Sequence, residues 1–226
     1  MKIIAHGHSS IELRGREHRI LIDPFFTEKD QLQRITGIDY ILLSHAHGDH
    51  ITGALELAKQ NGAKVIAIYE LTAHMEKLGA EVEPLGIGGT LDLGETKITM
   101  VPAVHSSSIF HKEPFSIEYM GQAVGFIVEM DGKRVYHAGD TAIFSDMKLW
   151  ASLYPLDAAI LPIGGVYTMD MRQAARAADL LNVDHVVPIH YNTFPSIEIE
   201  QQDFVEILKE SGRKAWFLAP GEAFVL

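Results

Sequence analysis

The stretch Leu42-Leu43-Ser44-His45-Ala46-His47-Gly48-Asp49-His50-Ile51 puts three imidazoles and a carboxylate into positions 45–50. Upstream, residues 40–43 form a short apolar run with the character of a buried strand. Downstream, Ile51, Ala54, Leu55 and Ala58 recur at the i, i+3, i+4, i+7 spacing of an amphipathic helix. The string therefore occupies a strand-to-helix turn. On an extended segment the alternate residues His45 and His47 project the same way, while Asp49 and His50, on the turn into the helix, reach a second point nearby. Four side chains directed at two adjacent points are what a two-metal centre needs. Solvated loop residues are the bland alternative, but so dense an array has few structural excuses.

Outward from this turn, strand and helix signals alternate. Residues 2–5, 19–22, 64–68, 97–101, 124–129, 135–137, 158–161 and 185–189 are Ile- and Val-rich runs bounded by turn residues, the pattern of short strands. Met171, Ala174, Ala175 and Ala178 repeat the helical spacing, and Phe204, Ile207 and Leu208 do so near the end. Asp131-Gly132, between two strand-like runs, marks a hairpin, because Gly accepts the positive φ that a tight turn demands. The fold class is thus α/β, with antiparallel pairs in its sheets. No internal repeat, low-complexity tract or linker divides the chain, so a single domain over residues 1–226 is expected. Residues 106–122 are polar and aromatic without a clear period; a loop of that length in a compact domain is usually functional, often a lid. Gly164-Gly165-Val166-Tyr167-Thr168-Met169 runs into the helix near Met171, where backbone amides offer an anion site or where Thr168 or Asp170 simply caps the helix.

Composition narrows the chemistry. The 226 residues include 12 histidines and no cysteine, and the formal charge is −11. Without a thiol there is no disulfide scaffold, thiolate zinc knuckle, cysteine-held iron–sulfur cluster or cysteine nucleophile, so any metal rests on histidine and carboxylate. At 47% hydrophobic and 22% charged residues, the chain has the balance of an ordinary globular protein. Met1-Lys2-Ile3-Ile4-Ala5-His6-Gly7-His8 holds no apolar core long enough for a signal peptide. No apolar run approaches the roughly 18–20 residues that cross a bilayer. A cytoplasmic protein without a membrane partner is the expectation. The acidic balance repels polyanions and leaves no basic stripe, which argues against a nucleic-acid partner. A homo-oligomer is compatible with the sequence but not readable from it.

Four further motifs lie in order around the histidine string. They are Asp23 in Leu21-Ile22-Asp23-Pro24, His105 in Val101-Pro102-Ala103-Val104-His105, Asp140 in His137-Ala138-Gly139-Asp140-Thr141, and His190 in Val187-Pro188-Ile189-His190-Tyr191. Together with residues 45–50 this ordered set resembles the metallo-β-lactamase superfamily of metal-dependent hydrolases, over essentially the whole chain. Gly7-His8-Ser9 and Pro188-Ile189-His190-Tyr191-Asn192-Thr193-Phe194 resemble the branch of small hydrolases related to L-ascorbate-6-phosphate lactonase.

The resemblance implies an αβ/βα four-layer sandwich, two mixed sheets packed face to face with helices outside. It also implies two divalent metal ions: His45, His47 and His105 hold the first, Asp49, His50 and His190 the second, and Asp140 bridges them. Zinc is the family's usual metal, with Mn²⁺ or Fe²⁺ tolerated. A hydroxide between the metals is then the nucleophile, and Asp49 also passes its proton to the leaving group. Asp23 is assigned to orienting a metal-bound imidazole. His8 and His137 are candidates to line the pocket. Tyr191 and Asn192 either bind a substrate oxygen or only shape the last loop.

The expected function is hydrolysis of a small-molecule ester, lactone or phosphoester, since each needs an activated water and a polarised oxygen. β-Lactamase activity is disfavoured, because Asp49 and His50 stand where many secreted members use a cysteine. A ribonuclease Z-like phosphodiesterase acting on RNA is an alternative that the charge disfavours. A two-iron oxidoreductase would need a flavin partner domain that this length does not hold. Outside enzymology, the alternative is a non-catalytic, metal-stabilised module that binds a metabolite.

Overall fold

The computed structural model describes residues 1–26 and 29–226. The first half of the chain forms β1 (Lys2–Gly7), β2 (Ser10–Arg14), β3 (Arg19–Ile22), α1 (Lys29–Arg34), β4 (Tyr40–Leu42), α2 (Gly48–Ile51), α3 (Ala54–Asn61), β5 (Lys64–Ala67), α4 (Tyr69–Lys77) and β6 (Val82–Pro84). The second half forms β7 (Thr90–Asp92), β8 (Thr96–Pro102), β9 (Ser108–His111), β10 (Ser116–Tyr119), β11 (Val124–Met130), β12 (Lys133–His137), α5 (Met147–Leu153), β13 (Ala158–Pro162), α6 (Met171–Leu181), β14 (His185–Ile189), α7 (Gln201–Glu210), β15 (Lys214–Ala215) and β16 (Ala223–Val225).

These strands make two seven-stranded mixed sheets, in the orders β16-β1-β2-β3-β4-β5-β6 and β15-β14-β13-β12-β11-β8-β7. In the first, pairing is antiparallel from β16 to β3 and parallel from β3 to β6. The second repeats this layout, antiparallel from β7 to β12 and parallel from β12 to β15. The sequence carries no such repeat, because burial demands only an alternation of apolar side chains, not the recurrence of particular ones. Strand β16 crosses back to the first sheet, where Phe224 pairs with Ile3.

Alternation along each strand assigns its two faces to two different cores. Ile20 and Ile22 of β3, Leu42 of β4 and Ile66 of β5 pack inward against Val124, Phe126, Val135, Ile160 and Val187 of the other sheet. Leu21, Ile41 and Val65 point outward and pack on Leu57 and Leu71 of the first sheet's helices. Tyr136, Ala159 and Val186 do the same beneath Ala174, Ala178 and Phe204. Each Leu or Ile so enclosed contributes about 1.5–3 kcal/mol. The result is the four-layer αβ/βα sandwich. No helix among the described residues is long and apolar enough to cross a membrane.

Three differences from the sequence reading have local causes. Residues 51–58 are not one helix: α2 ends at Ile51 and α3 begins at Ala54. Gly53 sits at the break, where its N–H donates to Pro24 O over 3.1 Å and a Cβ would lie 2.9 Å from the Phe26 ring. Residues 106–122 are not a plain loop, since β9 and β10 pair as a two-stranded hairpin. Most of that hairpin is exposed, so no buried face imposed a readable period. Strand β2 was missed although Ile11 and Leu13 alternate correctly, because its outer position is the buried Glu12, held by His6, Arg14 and Arg19.

Candidate metal centre

Within each sheet, β1, β3 and β4, and likewise β8, β12 and β14, run in the same direction, as the pairing orders require. The chain segments leaving these six strands carry His8, Asp23, the string 45–50, His105, Asp140 and His190. Crevices outside the carboxyl ends of strands are where open α/β sheets place their ligands. The two sheets are tied at this edge, where Val124 N–H donates to Ser44 O over 2.9 Å. Gly139, at φ 60°, permits that approach, since a Cβ there would lie 2.6 Å from Val124 O and 2.8 Å from Ser44 Cβ.

The turns themselves are unusual. His8, Asp23, His190 and Asn192 all have positive φ without being glycine. The left-handed region costs an L-residue roughly 1–2 kcal/mol, a strain that gathers where side chains must be aimed.

Possible ligand atoms collect into His45, His47 and His105, into His8, Asp49, His50 and His190, and, behind both, into Asp23 with His45 and His50. In the first, His47 Nδ1 lies 2.9 Å from His45 Nε2 and 3.3 Å from His105 Nε2. In the second, Asp49 Oδ2 lies 3.1 Å from His8 Nε2, 3.4 Å from His190 Nε2 and 3.7 Å from His50 Nε2. Between them, Asp140 Oδ2 is 3.2 Å from His190 Nε2, 3.4 Å from His50 Nε2, 3.7 Å from His105 Nε2 and 4.0 Å from His45 Nε2. The structure thus brings together all seven residues expected as ligands. His8, expected only to line the pocket, joins the second group through its 3.1 Å approach to Asp49.

Behind the two groups, hydrogen bonds fix which nitrogens face inward. Asp23, fully buried, accepts from His50 Nδ1 at 2.9 Å and from Ser44 Oγ at 2.5 Å on one oxygen, and from Ser44 N–H at 2.7 Å on the other. His45 Nδ1 donates to Ser44 Oγ at 3.0 Å. Both rings therefore turn Nε2 toward the crevice. Ser44 was not singled out by sequence reasoning; its only signal was its place directly before the histidine string. Thr141 was missed as well: its Oγ1 accepts from Val104 N–H over 2.9 Å, tying the His105 segment to that of Asp140.

Electrostatics follow from this crowding. Burial depresses His45 well below its usual value and lowers His8, His47 and His105. Burial acts on His50 too, but Asp140 and Asp23 hold it well above its ordinary range. His190, also opposed by burial, is lifted to about 9 by Asp140 and Asp49. Against the burial that would raise them, Asp49 is lowered by His190 and His8, and Asp140 well below its usual value by His50 and His190.

The donor set fits divalent cations. A tetrahedron with metal–nitrogen distances of about 2.0–2.1 Å has edges of roughly 3.3 Å, close to the nitrogen separations in the first group. His50 Nε2 is buried and has no hydrogen-bond partner, a cost that coordination removes.

The remaining candidates divide. His137 does not line a pocket. It is buried beneath the crevice, its Nδ1 accepts from Gly139 N–H over 3.1 Å, and burial pulls it down to about 4. Asn192 spends both ends of its amide on Ile199, accepting from N–H at 2.7 Å and donating to the carbonyl at 3.2 Å, so it closes the loop after β14. Tyr191 packs edge-on against Phe217 and lines a hollow beside His8. The Gly164–Met169 segment offers no open anion site, because Asp170 caps α6 and forms a capping box with Gln173.

Comparisons with known proteins agree with this architecture. The beta-lactamase superfamily domain family matches residues 18–191. A UPF0173 metal-dependent hydrolase of Desulfitobacterium hafniense is 42% identical over 236 residues, covering 100% of this chain and 99% of that protein. One of Pyrococcus furiosus is 41% identical over 232 residues and covers 100% of both. Among solved structures, the metallo hydrolase Igni18 of Ignicoccus hospitalis superposes with a TM-score of 0.88 at 36% identity, over 99% of this chain and 97% of that one. The chain belongs to the beta-lactamase superfamily and, within it, to the UPF0173 family.

Proposed function

We propose that this member of the beta-lactamase superfamily is a metal-dependent hydrolase that uses two divalent cations to cleave a small-molecule ester, lactone or phosphoester. The observation that carries this reading is the position of Asp140 Oδ2 between the two groups, within 3.2–4.0 Å of four imidazole nitrogens. In it, His45, His47 and His105 would hold one cation and Asp49, His50 and His190 the other, with Asp140 placed to serve both. The three-imidazole group suits Zn²⁺, while carboxylate ligands also admit Mn²⁺ or Fe²⁺. When bound, the cations supply Lewis acidity and bring the ionisation of a water to near neutral pH.

The chain's own residues supply the rest. Asp49, whose side chain is 27% exposed, is the carboxylate of the centre open to the crevice. It orients the attacking water and carries its proton to the leaving oxygen. His8 holds Asp49 from behind, and Thr193 Oγ1 holds His8 Nδ1 at 2.9 Å. Asp23 and Ser44 keep His45 and His50 aimed inward.

The test is metal content after reconstitution with Zn²⁺, Mn²⁺ or Fe²⁺, together with turnover of a panel of esters, lactones and phosphodiesters. Two equivalents per chain and activity lost in Asp49→Ala are expected. Less than one equivalent of tightly bound metal overturns the reading. Consumption of no panel compound by a fully loaded protein turns it toward a metabolite-binding module.

A further inference from the structure

The hairpin β9–β10 stands over the first imidazole group, and its register decides which side chains share a face. Ile117 pairs with Phe110 and Tyr119 with Ser108, so Phe110, Ile117 and Tyr119 share one face. The opposite face carries Ile109, His111 and Glu118, the last two 3.2 Å apart. Phe110, Ile117 and Tyr119 are each more than half exposed, an apolar cost without return unless something covers them.

Two hollows run from this face to the centre. One, of about 350 Å³, lies between Phe110, Ile117, Ile51 and His47. The other, of about 300 Å³, lies between Ile117, Tyr119 and His105. Ile117 stands between them, so the apolar face is continuous with the imidazoles on both sides. No Lys or Arg lines either hollow, or the 490 Å³ hollow beside His8, among the described residues. At the start of α6, Asp170 occupies the amide of Gln173. A phosphate or carboxylate on the substrate's arm would find no Lys or Arg in these hollows to receive it.

We propose that the substrate is an uncharged carboxylic ester or lactone whose alkyl or aryl arm lies under the hairpin against Phe110, Ile117 and Tyr119. This rests on the hydrolase reading above and selects among its substrates. Water adds to the carbonyl carbon, the ester C–O bond breaks, and the water's proton leaves with the alcohol oxygen. Acid and alcohol are the products, and no further reactant is needed. The exposed apolar face is covered in the complex by the arm it recognises, which is how a pocket of this kind gains selectivity by chain length.

The experiment compares 4-nitrophenyl acetate, butyrate and octanoate with 4-nitrophenyl phosphate and with an ester ending in a carboxylate, using metal-loaded protein. The expected result is a kcat/KM that rises about tenfold or more from acetate to octanoate, mainly through KM, with both charged compounds poorer than the neutral ester of like size. Ile117→Asp flattens that dependence, while Leu149→Asp, at another apolar position more than half exposed, on α5, preserves it. Faster turnover of the phosphate or carboxylate overturns the proposal and leaves the hydrolase reading standing. So does an Ile117→Asp protein that changes in mass by light scattering yet keeps its chain-length dependence, since the face then belongs to a contact between copies. A protein that binds two metals and consumes none of these compounds overturns the proposal together with the hydrolase reading.

Discussion

Asp23 Oδ2 accepts a hydrogen bond from His50 Nδ1 over 2.9 Å, with both side chains shut off from solvent. The same carboxylate reaches His45 through Ser44, so one residue sets the ring orientation of two imidazoles that belong to opposite groups. Asp23→Asn keeps the shape but removes the charge and one acceptor. The expected outcome is a folded protein whose metal affinity falls about 10–100-fold. Competition against a chromophoric chelator measures this, and wild-type affinity in the variant would sink the assignment.

The metal-free protein should be most stable near pH 6.5. His137, held at about 4, and His8, His45, His47 and His105, also lowered, bind protons more weakly in the folded state than in the unfolded chain. Stability therefore rises with pH up to about 6.5, the ordinary histidine value. His190, raised to about 9, and His50, raised well above its ordinary value, do the opposite. Their contribution is fully present below about 6.5; that of His190 is lost as pH climbs through about 9, and that of His50 is likewise lost above its ordinary range. Urea denaturation of chelator-treated protein from pH 5 to 9 tests this. A monotonic profile would contradict the arrangement of charges around Asp140.

Cation uptake at pH 7 should release protons. His50 and His190 are protonated in the metal-free centre, and a ligating nitrogen must be free of its proton. Titration calorimetry in buffers of different ionisation enthalpy reads the release directly. About two protons per chain are expected, against none if the cations bind elsewhere.

Gly139→Ala probes the contact between the sheets. Its Cβ would fall 2.6 Å from Val124 O and 2.8 Å from Ser44 Cβ at a positive φ, so Val124, Ser44 or the backbone at 139 must shift. Overpacking of this kind costs about 1–3 kcal/mol, visible as a lower melting temperature. Because Asp140 is the next residue, metal content should fall with it.

At α6 the expectation separates stability from chemistry. Asp170→Ala removes the helix cap and should cost about 0.5–2 kcal/mol in chemical denaturation. Metal content should not change. An altered metal content or a new affinity for inorganic phosphate would place the Gly164–Met169 loop in the site after all.

Much of the centre was legible because ligand chemistry is written locally. His45, His47, Asp49 and His50 sit within one strand-to-helix turn, where spacing alone divides them into two directions. Asp23, His105, Asp140 and His190, weak signals singly, were legible only through the resemblance of their order to the metallo-β-lactamase superfamily. The hairpin over the centre was not, since its strands expose most of both faces and burial left no period to read. Nor was the break at Gly53, which depends on Phe26 and Pro24 approaching from elsewhere in the chain.

The residue types, their order and their places at strand ends belong to the sequence, because periodicity and side-chain chemistry are properties of neighbours along the chain. Where those side chains finally point does not. His8 meets Asp49 across 41 residues and Thr193 across 185, while His137, equally suggestive in sequence, is turned inward beneath the crevice. Asn192 is likewise spent on closing its own loop. These outcomes follow from the register in which two sheets pack, set by the interdigitation of Ile22, Leu42, Phe126 and Ile160 in their common core. That register is a sum of many non-local contacts, and no single stretch of the chain carries it.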